Sequence, residues 1–267
     1  MQSFTKRDIT VDGVRVQVLQ AGHGAPLVYL HAAGTTSGFR ELLPLAEDRT
    51  LIIPIHPGFG ASDDDPRIDS VVDYVLHYAA LFDQLGLHAP VDLIGHSLGG
   101  WIGSLFAVFY SYRVRRLALC CPAGLRVPEH PTKDLFMIPA ERFMEHMFVS
   151  PPAMPRPQDG TDPNEIKVMR YREMISLARF SWSRNYEPKL GRWLARVNVP
   201  VLLLWGEQDR IIPVQQAKYW VNHLGGPTEV VTFNGAGHVL WRESAAAVAR
   251  LTTFFQSDQQ AQAAVLS

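Results

Sequence analysis

Six short runs of mostly apolar residues recur along the chain, at 27–30, 51–55, 91–94, 117–121, 199–205 and 229–233. They are strand-length, and their near-continuous apolarity fits strands covered on both faces rather than strands with one wet side. Helical patterns alternate with them. Ser70 and Asp73 form a capping-box pattern, followed by Val71, Val72, Val75, Leu76, Ala79 and Phe82, with Gly86 as a stop. Residues 98–110 are apolar nearly all round, which predicts a buried helix, and a last helix is expected over 243–255. Two antiparallel strands, 4–11 and 14–20, precede this rhythm, turning at Asp12-Gly13. Strand–helix alternation of this kind predicts an α/β fold with a mostly parallel sheet.

Residues 125–188 interrupt the rhythm. They show two helical patterns, at 139–148 and 163–181, the second with Asp162 as N-cap, Pro163 at the first helical position and Glu165 at the third. A proline-rich connector, 150–160, separates them. The expected organisation is a core of 1–124 and 189–267 with a helical cap, 125–188, inserted over the sheet. Residues 257–267 are polar and weakly patterned, and a mobile tail is expected there.

The 267-residue chain is 47% hydrophobic, so it can bury a sizeable core, and its net charge of −1 comes from interspersed acids and bases. No basic run or aromatic-basic stripe marks a nucleic-acid surface. Residues 1–12 are polar and carry no apolar signal core, and no stretch reaches the roughly 18–20 apolar residues of a membrane span. Cys120 and Cys121 are neighbours on an expected strand and point to opposite faces, so two buried thiols in a reducing compartment are expected. A cytoplasmic location follows from these features. None of the histidine spacings calls for a metal, and no cofactor is expected. The expected partner is a small-molecule substrate, bound by a monomer or homodimer.

The run 91–94 leads straight into Gly95-His96-Ser97-Leu98-Gly99-Gly100 and then a helix. This is G-x-S-x-G with a strand before it and a helix after it. A serine on so sharp a turn takes strained backbone angles, and side chains at 95 or 99 would strike nearby backbone. The turn lifts the Ser97 hydroxyl to the carboxyl end of the sheet, above a helix N-terminus that favours negative charge. A phosphate loop would want Lys-Ser or Lys-Thr after its glycines, and Trp101-Ile102 stands there instead.

A serine nucleophile needs a base, and the base an orienting acid. Of ten histidines, His238 follows the run 229–233 through Asn234-Gly235-Ala236-Gly237 and precedes the last helix. The run 199–205 is followed by Gly206-Glu207-Gln208-Asp209, which makes Asp209 the expected acid, with Glu207 as the local rival. After 117–121 comes Pro122-Ala123-Gly124, which holds no acid. The order Ser97, Asp209, His238 is the one expected when such an elbow leads.

These segments, with His31-Ala32-Ala33-Gly34 and His56-Pro57-Gly58-Phe59-Gly60-Ala61-Ser62, make the chain resemble the α/β-hydrolase superfamily, in the group with a helical cap. The resemblance spans roughly two-thirds of the chain, and in the cap it is one of position and composition only. It implies an eight-stranded, mostly parallel sheet flanked by helices, with Ser97, Asp209 and His238 as nucleophile, acid and base. It also implies an oxyanion hole built from the backbone N–H of Leu98 and, by resemblance, of Ala33. Family members often have His-Gly where this chain has His31-Ala32, which leaves the second donor's register open by a residue. His31 and His56 are expected to fix loops, and His96 to pack into the core.

Serine chemistry at position 97 leaves esters, lactones, thioesters and the carbon–carbon cleavage of dienoic keto acids, and sets aside the aspartate-dependent members. Carboxylesterase is the first reading and carbon–carbon hydrolase on a carboxylated dienone the second. A non-catalytic binder reusing the fold is the third, which three intact triad residues argue against. Phe136, Phe143, Met147 and Trp182 of the cap are candidates for an apolar substrate pocket, with cap packing as the competing role. Arg170, Arg172 and Arg179 could meet a substrate carboxylate, though a solvated face is the preferred reading for them.

Overall fold

A computed structural model describes residues 3–36, 39–151 and 163–265. Chain direction is first set at the turn, where Asp12 (φ 50°) and Gly13 (φ 84°) both take positive φ. That pair joins β1 (Thr5–Val11) to β2 (Val14–Gly22) with Val11 opposite Val14, because two left-handed residues match the strands' own twist. The remaining strands are β3 (Ala25–Leu30), β4 (Arg49–Pro54), β5 (Val91–His96), β6 (Val114–Cys120), β7 (Val201–Gly206) and β8 (Thr228–Phe233). They form one eight-stranded sheet in the order β1-β2-β4-β3-β5-β6-β7-β8. The β1–β2 and β2–β4 pairs are antiparallel and every other pair is parallel. From β3 the chain steps outward to β4, then returns past β3 to β5. Such a reversal opens a crevice at the carboxyl ends of the strands, where α/β sheets hold ligands.

Helix α1 (Val71–Gln84) starts with the full capping box, Ser70 accepting from the Asp73 N–H and Asp73 accepting from that of Ser70. Helix α2 (Leu98–Phe109) is buried from Leu98 to Val108, as its all-round apolarity requires. Among the parallel strands, β5, β6 and β7 are almost wholly buried. β8 departs from the expectation of cover on both faces: it is the edge strand, and Glu229, Val230 and Thr232 are exposed.

Between β6 and β7 the chain leaves the sheet. The expected helix over 139–148 divides into a short 3-10 turn, Ala140–Arg142, and α3 (Phe143–Met147). Helix α4 takes the expected bounds, Pro163–Ser181. Asp162 and most of the proline-rich connector lie outside the described residues. One face of α4, at three-residue spacing, holds the loop after β4. Glu173 Oε1 accepts from the Gly60 N–H (2.9 Å), and Ser176 Oγ donates to the Gly58 carbonyl (3.2 Å). Arg179 donates to the Asp65 carbonyl (2.9 Å) and pairs with Asp64. Arg179 is therefore docked rather than solvated, whereas Arg172 is exposed as expected.

The chain returns through α5 (Leu190–Leu194), α6 (Ala217–His223), α7 (Leu240–Glu243) and α8 (Ala245–Val265). α8 runs through most of the segment expected to be a loose tail. Residues 259–264 are all Gln or Ala, good helix formers with no glycine or proline to stop them. Among the described residues no helix is long and apolar enough to cross a membrane.

At the end of the strands opposite Ser97, Asp92 on β5 is 1% exposed and pairs with Arg49 on β4 at 3.2 Å and with Arg115. Arg49, itself 3% exposed, also donates to the Phe255 carbonyl of α8. Removing one partner of such a cluster strands a buried charge. Asp92→Ala is expected to lower stability by about 3–5 kcal/mol, seen as a lower urea midpoint with an unchanged slope. A midpoint equal to that of the wild type would show that the cluster does not hold this end of the sheet.

Candidate active site

The end of β5 turns into α2 through Ser97, whose backbone sits at φ 52°, ψ −111°. A non-glycine residue persists there only when its surroundings over-determine it, because the strain is worth about 1–3 kcal/mol. Here the Ser97 N–H donates to the Cys120 carbonyl, and the Ser97 carbonyl accepts from the Trp101 and Ala123 N–H groups, each at 3.0 Å. The flanking glycines have the predicted reason. A Cβ at Gly95 would lie 2.4 Å from the Gly99 carbonyl oxygen, and one at Gly99 would lie 2.0 Å from that of Leu30.

Asp209 follows β7 and His238 follows β8, and the two meet at His238 Nδ1–Asp209 Oδ2, 2.8 Å. Asp209 Oδ1 accepts from the N–H groups of Ile211 (2.8 Å) and Ile212 (2.9 Å), so the carboxylate is held at both oxygens. The His238 backbone is fixed as well. Its N–H donates to the Met147 carbonyl (3.0 Å), and its own carbonyl accepts from His96 Nε2 (2.8 Å). Ser97 thus lies next in sequence to the residue that holds His238. Ser97 Oγ makes no hydrogen bond with the imidazole, a link that free enzymes often leave loose. Neither Ser97 Oγ nor His238 Nε2 is among the sealed, unpartnered polar atoms of the described residues, and both are buried by residue.

Leu98 opens α2, so its N–H has no acceptor within the helix. Ala33 stands in the turn after β3. That turn is held by the Gly99 N–H donating to the His31 carbonyl at 3.0 Å. His31 and His56 stack at 3.7 Å and exchange bonds. His31 Nε2 accepts from the His56 N–H (3.0 Å), and His56 Nε2 donates to the His31 carbonyl (2.8 Å). His31 Nδ1 donates to the Ala32 carbonyl (2.8 Å), while Tyr78 donates its hydroxyl proton to His56 Nδ1. The His31 bonds require a neutral ring, because its Nε2 accepts. Burial draws His31 down to about 4, and draws His56 and His96 well below the usual histidine value.

Cys121, Asp209 and His238 bring potential ligand atoms within 4.8 Å of one another. Burial pushes the Cys121 thiol well above its ordinary value, and the carboxylate oxygens are already engaged. The set therefore reads as a hydrogen-bonded cluster behind the imidazole rather than as a metal centre.

Two cavities meet the site. The smaller, about 50 Å³, is lined by Ser97, Leu98, Phe136 and polar groups including Thr132, Lys133 and Asn185. The larger, about 180 Å³, is lined by Ala33, Phe59, Phe143 and Met144, with Arg170 and Glu173. Leu135 and Leu177 border both. Phe136 and Phe143 thus reach the cavities, whereas Met147 and Trp182 depart from expectation. Met147 is 3% exposed and contributes its carbonyl to His238, and Trp182 is 70% exposed, with its ring against Phe136.

Glu173 and Glu243 are the residues that sequence reasoning missed. Glu243 accepts from the N–H groups of Gly237 (2.7 Å) and Val149 (2.7 Å), tying the His238 loop to the cap. Glu173 had a readable signal: it lies four residues from both Met169 and Leu177, a carboxyl in an otherwise apolar helical row.

The neutral histidines set an acid limit. The unfolded chain takes up histidine protons below about pH 6.5, and the folded one refuses them until lower pH. Unfolding therefore gains protons, and stability falls as pH drops from 6.5. For His31, protonating only near 4, the loss is of order 3 kcal/mol. The urea midpoint is expected to fall steadily between pH 6.5 and 4.5; a constant midpoint would contradict the neutral assignment.

Comparison with known proteins bears on the whole of this arrangement. The family model described as "Alpha/beta hydrolase family" matches residues 23–251. The chain is 25% identical to 2-hydroxy-6-oxo-2,4-heptadienoate hydrolase of Pseudomonas putida, over 93% of this chain and 95% of that protein. It is 28% identical to 2-hydroxymuconate semialdehyde hydrolase of a Pseudomonas species, over 96% and 95%. The solved structure of a membrane phospholipase A superposes with a TM-score of 0.75 at 22% identity, covering 95% of this chain and 86% of that one. With its eight-stranded sheet, its serine elbow and a family match over most of its length, this chain belongs to the α/β-hydrolase family.

Proposed function

We propose that this hydrolase cleaves a carboxylic ester-like bond of a small, largely apolar substrate through an acyl-enzyme. The observation that carries the reading is the His238–Asp209 bond of 2.8 Å, formed in register with a serine held at φ 52°. Asp209 fixes the tautomer with the proton on Nδ1, which leaves Nε2 as a base. His238 Nε2 takes the Ser97 proton as Oγ attacks the carbonyl. The negative charge that develops on the carbonyl oxygen meets the N–H groups of Leu98 and Ala33, and one such donor is worth about 3 kcal/mol. The imidazolium then gives its proton to the leaving group, and water repeats the sequence on the acyl-enzyme.

The carbon–carbon hydrolase reading keeps a specific support: the names of the two Pseudomonas relatives, with Arg170 on the wall of the larger cavity as a cation for a substrate carboxylate. The ester reading ranks first because Glu173 places a carboxyl in that same cavity, against an anionic substrate.

Ser97→Ala is expected to lose at least ~10³-fold in turnover of a p-nitrophenyl ester while keeping its urea midpoint or raising it. Asp209→Asn, which favours the wrong tautomer, is expected to cost about 10⁴-fold in kcat. Wild-type rates in either variant would refute the assignment. Specificity constants for a simple aryl ester and for a chromophoric dienone acid, compared on the same preparation, separate the two substrate classes.

A further inference from the structure

The larger cavity is walled by side chains such as Phe59, Phe143, Met144 and Met174, yet Glu173 stands among them at 5% exposure. Its Oε1 is occupied, accepting from the Gly60 N–H at 2.9 Å and from Thr36 Oγ1 at 3.0 Å. Its Oε2 has no hydrogen bond to a described residue, and it is not among the sealed polar atoms. One carboxyl oxygen therefore anchors the helix and the other opens to the cavity. Water can satisfy that oxygen while the cavity is empty, but a substrate arm that fills the cavity displaces the water and must supply a partner itself or leave the oxygen unpaired. Sites built this way discriminate strongly against analogues that lack the matching group.

We propose that Glu173 is a specificity-determining residue whose Oε2 hydrogen-bonds a hydroxyl on the substrate arm that fills the larger cavity. This rests on the ester reading above and adds a chemical class to it: an acyl group with a neutral hydroxyl on an otherwise apolar arm. Burial raises the Glu173 carboxyl above its ordinary value, and a hydroxyl serves both of its forms, donating to the carboxylate or accepting from the acid. An ammonium arm would meet the Arg170 guanidinium in the same cavity, and a carboxylate arm would meet Glu173 itself. The neutral donor is the partner that neither residue repels.

The test is a matched panel of p-nitrophenyl esters with unsubstituted, hydroxy, amino and carboxy ends on acyl chains of four to eight carbons. The wild type is expected to favour a hydroxy end over the plain chain by about 10- to 100-fold in kcat/KM at the matching length. In Glu173→Leu that ratio is expected to fall to about one while the plain ester is still cleaved; Glu173→Met serves where the leucine variant does not fold. Thr36→Val removes one anchoring bond and leaves Oε2 in place, so it is expected to keep the ratio. A wild-type ratio near one at every length overturns the proposal. So does a carboxy end as the best substrate, a ratio that survives in Glu173→Leu, or one that falls equally in Thr36→Val. Calorimetric binding of 6-hydroxyhexanamide and hexanamide to Ser97→Ala makes the same comparison without turnover. Equal affinity there defeats the Glu173 assignment, whereas failure to cleave any ester defeats only the ester reading.

Discussion

The contact on which the site depends is the one between the elbow and the end of β3. Gly99 comes close enough for its N–H to reach the His31 carbonyl, and any larger residue would strike the Leu30 carbonyl. That contact aligns two chain segments some sixty residues apart. It ties the turn that follows β3 to the first turn of α2. It also draws in the second layer of support, since the same His31 carbonyl accepts from His56 and His56 is held by Tyr78. The proposed oxyanion hole gains from rigidity because its dipoles need not reorganise when charge appears. Here the rigidity comes from uncharged imidazoles, which bond like backbone amides without the desolvation cost of an ion.

Much of this was legible in the amino-acid sequence because the informative residues act locally. Gly95, Ser97 and Gly99 declare a turn that only small residues permit. Asp12-Gly13 declares a hairpin, and Ser70 with Asp73 declares a helix start. The proposed triad is readable because each member follows a strand, and strand ends are easier to find than side-chain contacts. The expectations that the structure corrects concern position relative to distant neighbours. The Val-Val pair of β8 resembles a central strand, and only the sheet order shows that nothing lies beyond it. The polar residues after Ser257 show no apolar stripe, yet α8 continues through them, as their helix propensity allows. Met147 and Trp182 belong to an apolar list whose members divide between wall, core and surface, and composition carries no information on that division.

The charged residues of α4 show the same limit from the other side. On a helix wheel, the three arginines suggest a wet face. In the structure Glu173 and Arg179 lie inward, because the loop after β4 offers N–H groups, carbonyls and Asp64 at matching spacing. That spacing belongs to a segment more than a hundred residues earlier. A helix covering an active site can thus be fastened by polar bonds, leaving its apolar side chains to shape the cavity.

The fastening has a bearing on how such proteins diversify. Loops and inserted helices are often treated as interchangeable modules, exchanged between scaffolds to alter what an enzyme accepts. Here the inserted helix and the stretch from Gly58 to Asp65 form a lock and its key, cut from separate parts of the gene. A graft that carries one without the other brings unmatched acids and bases to the seam, so the unit of inheritance for this lid is the pair.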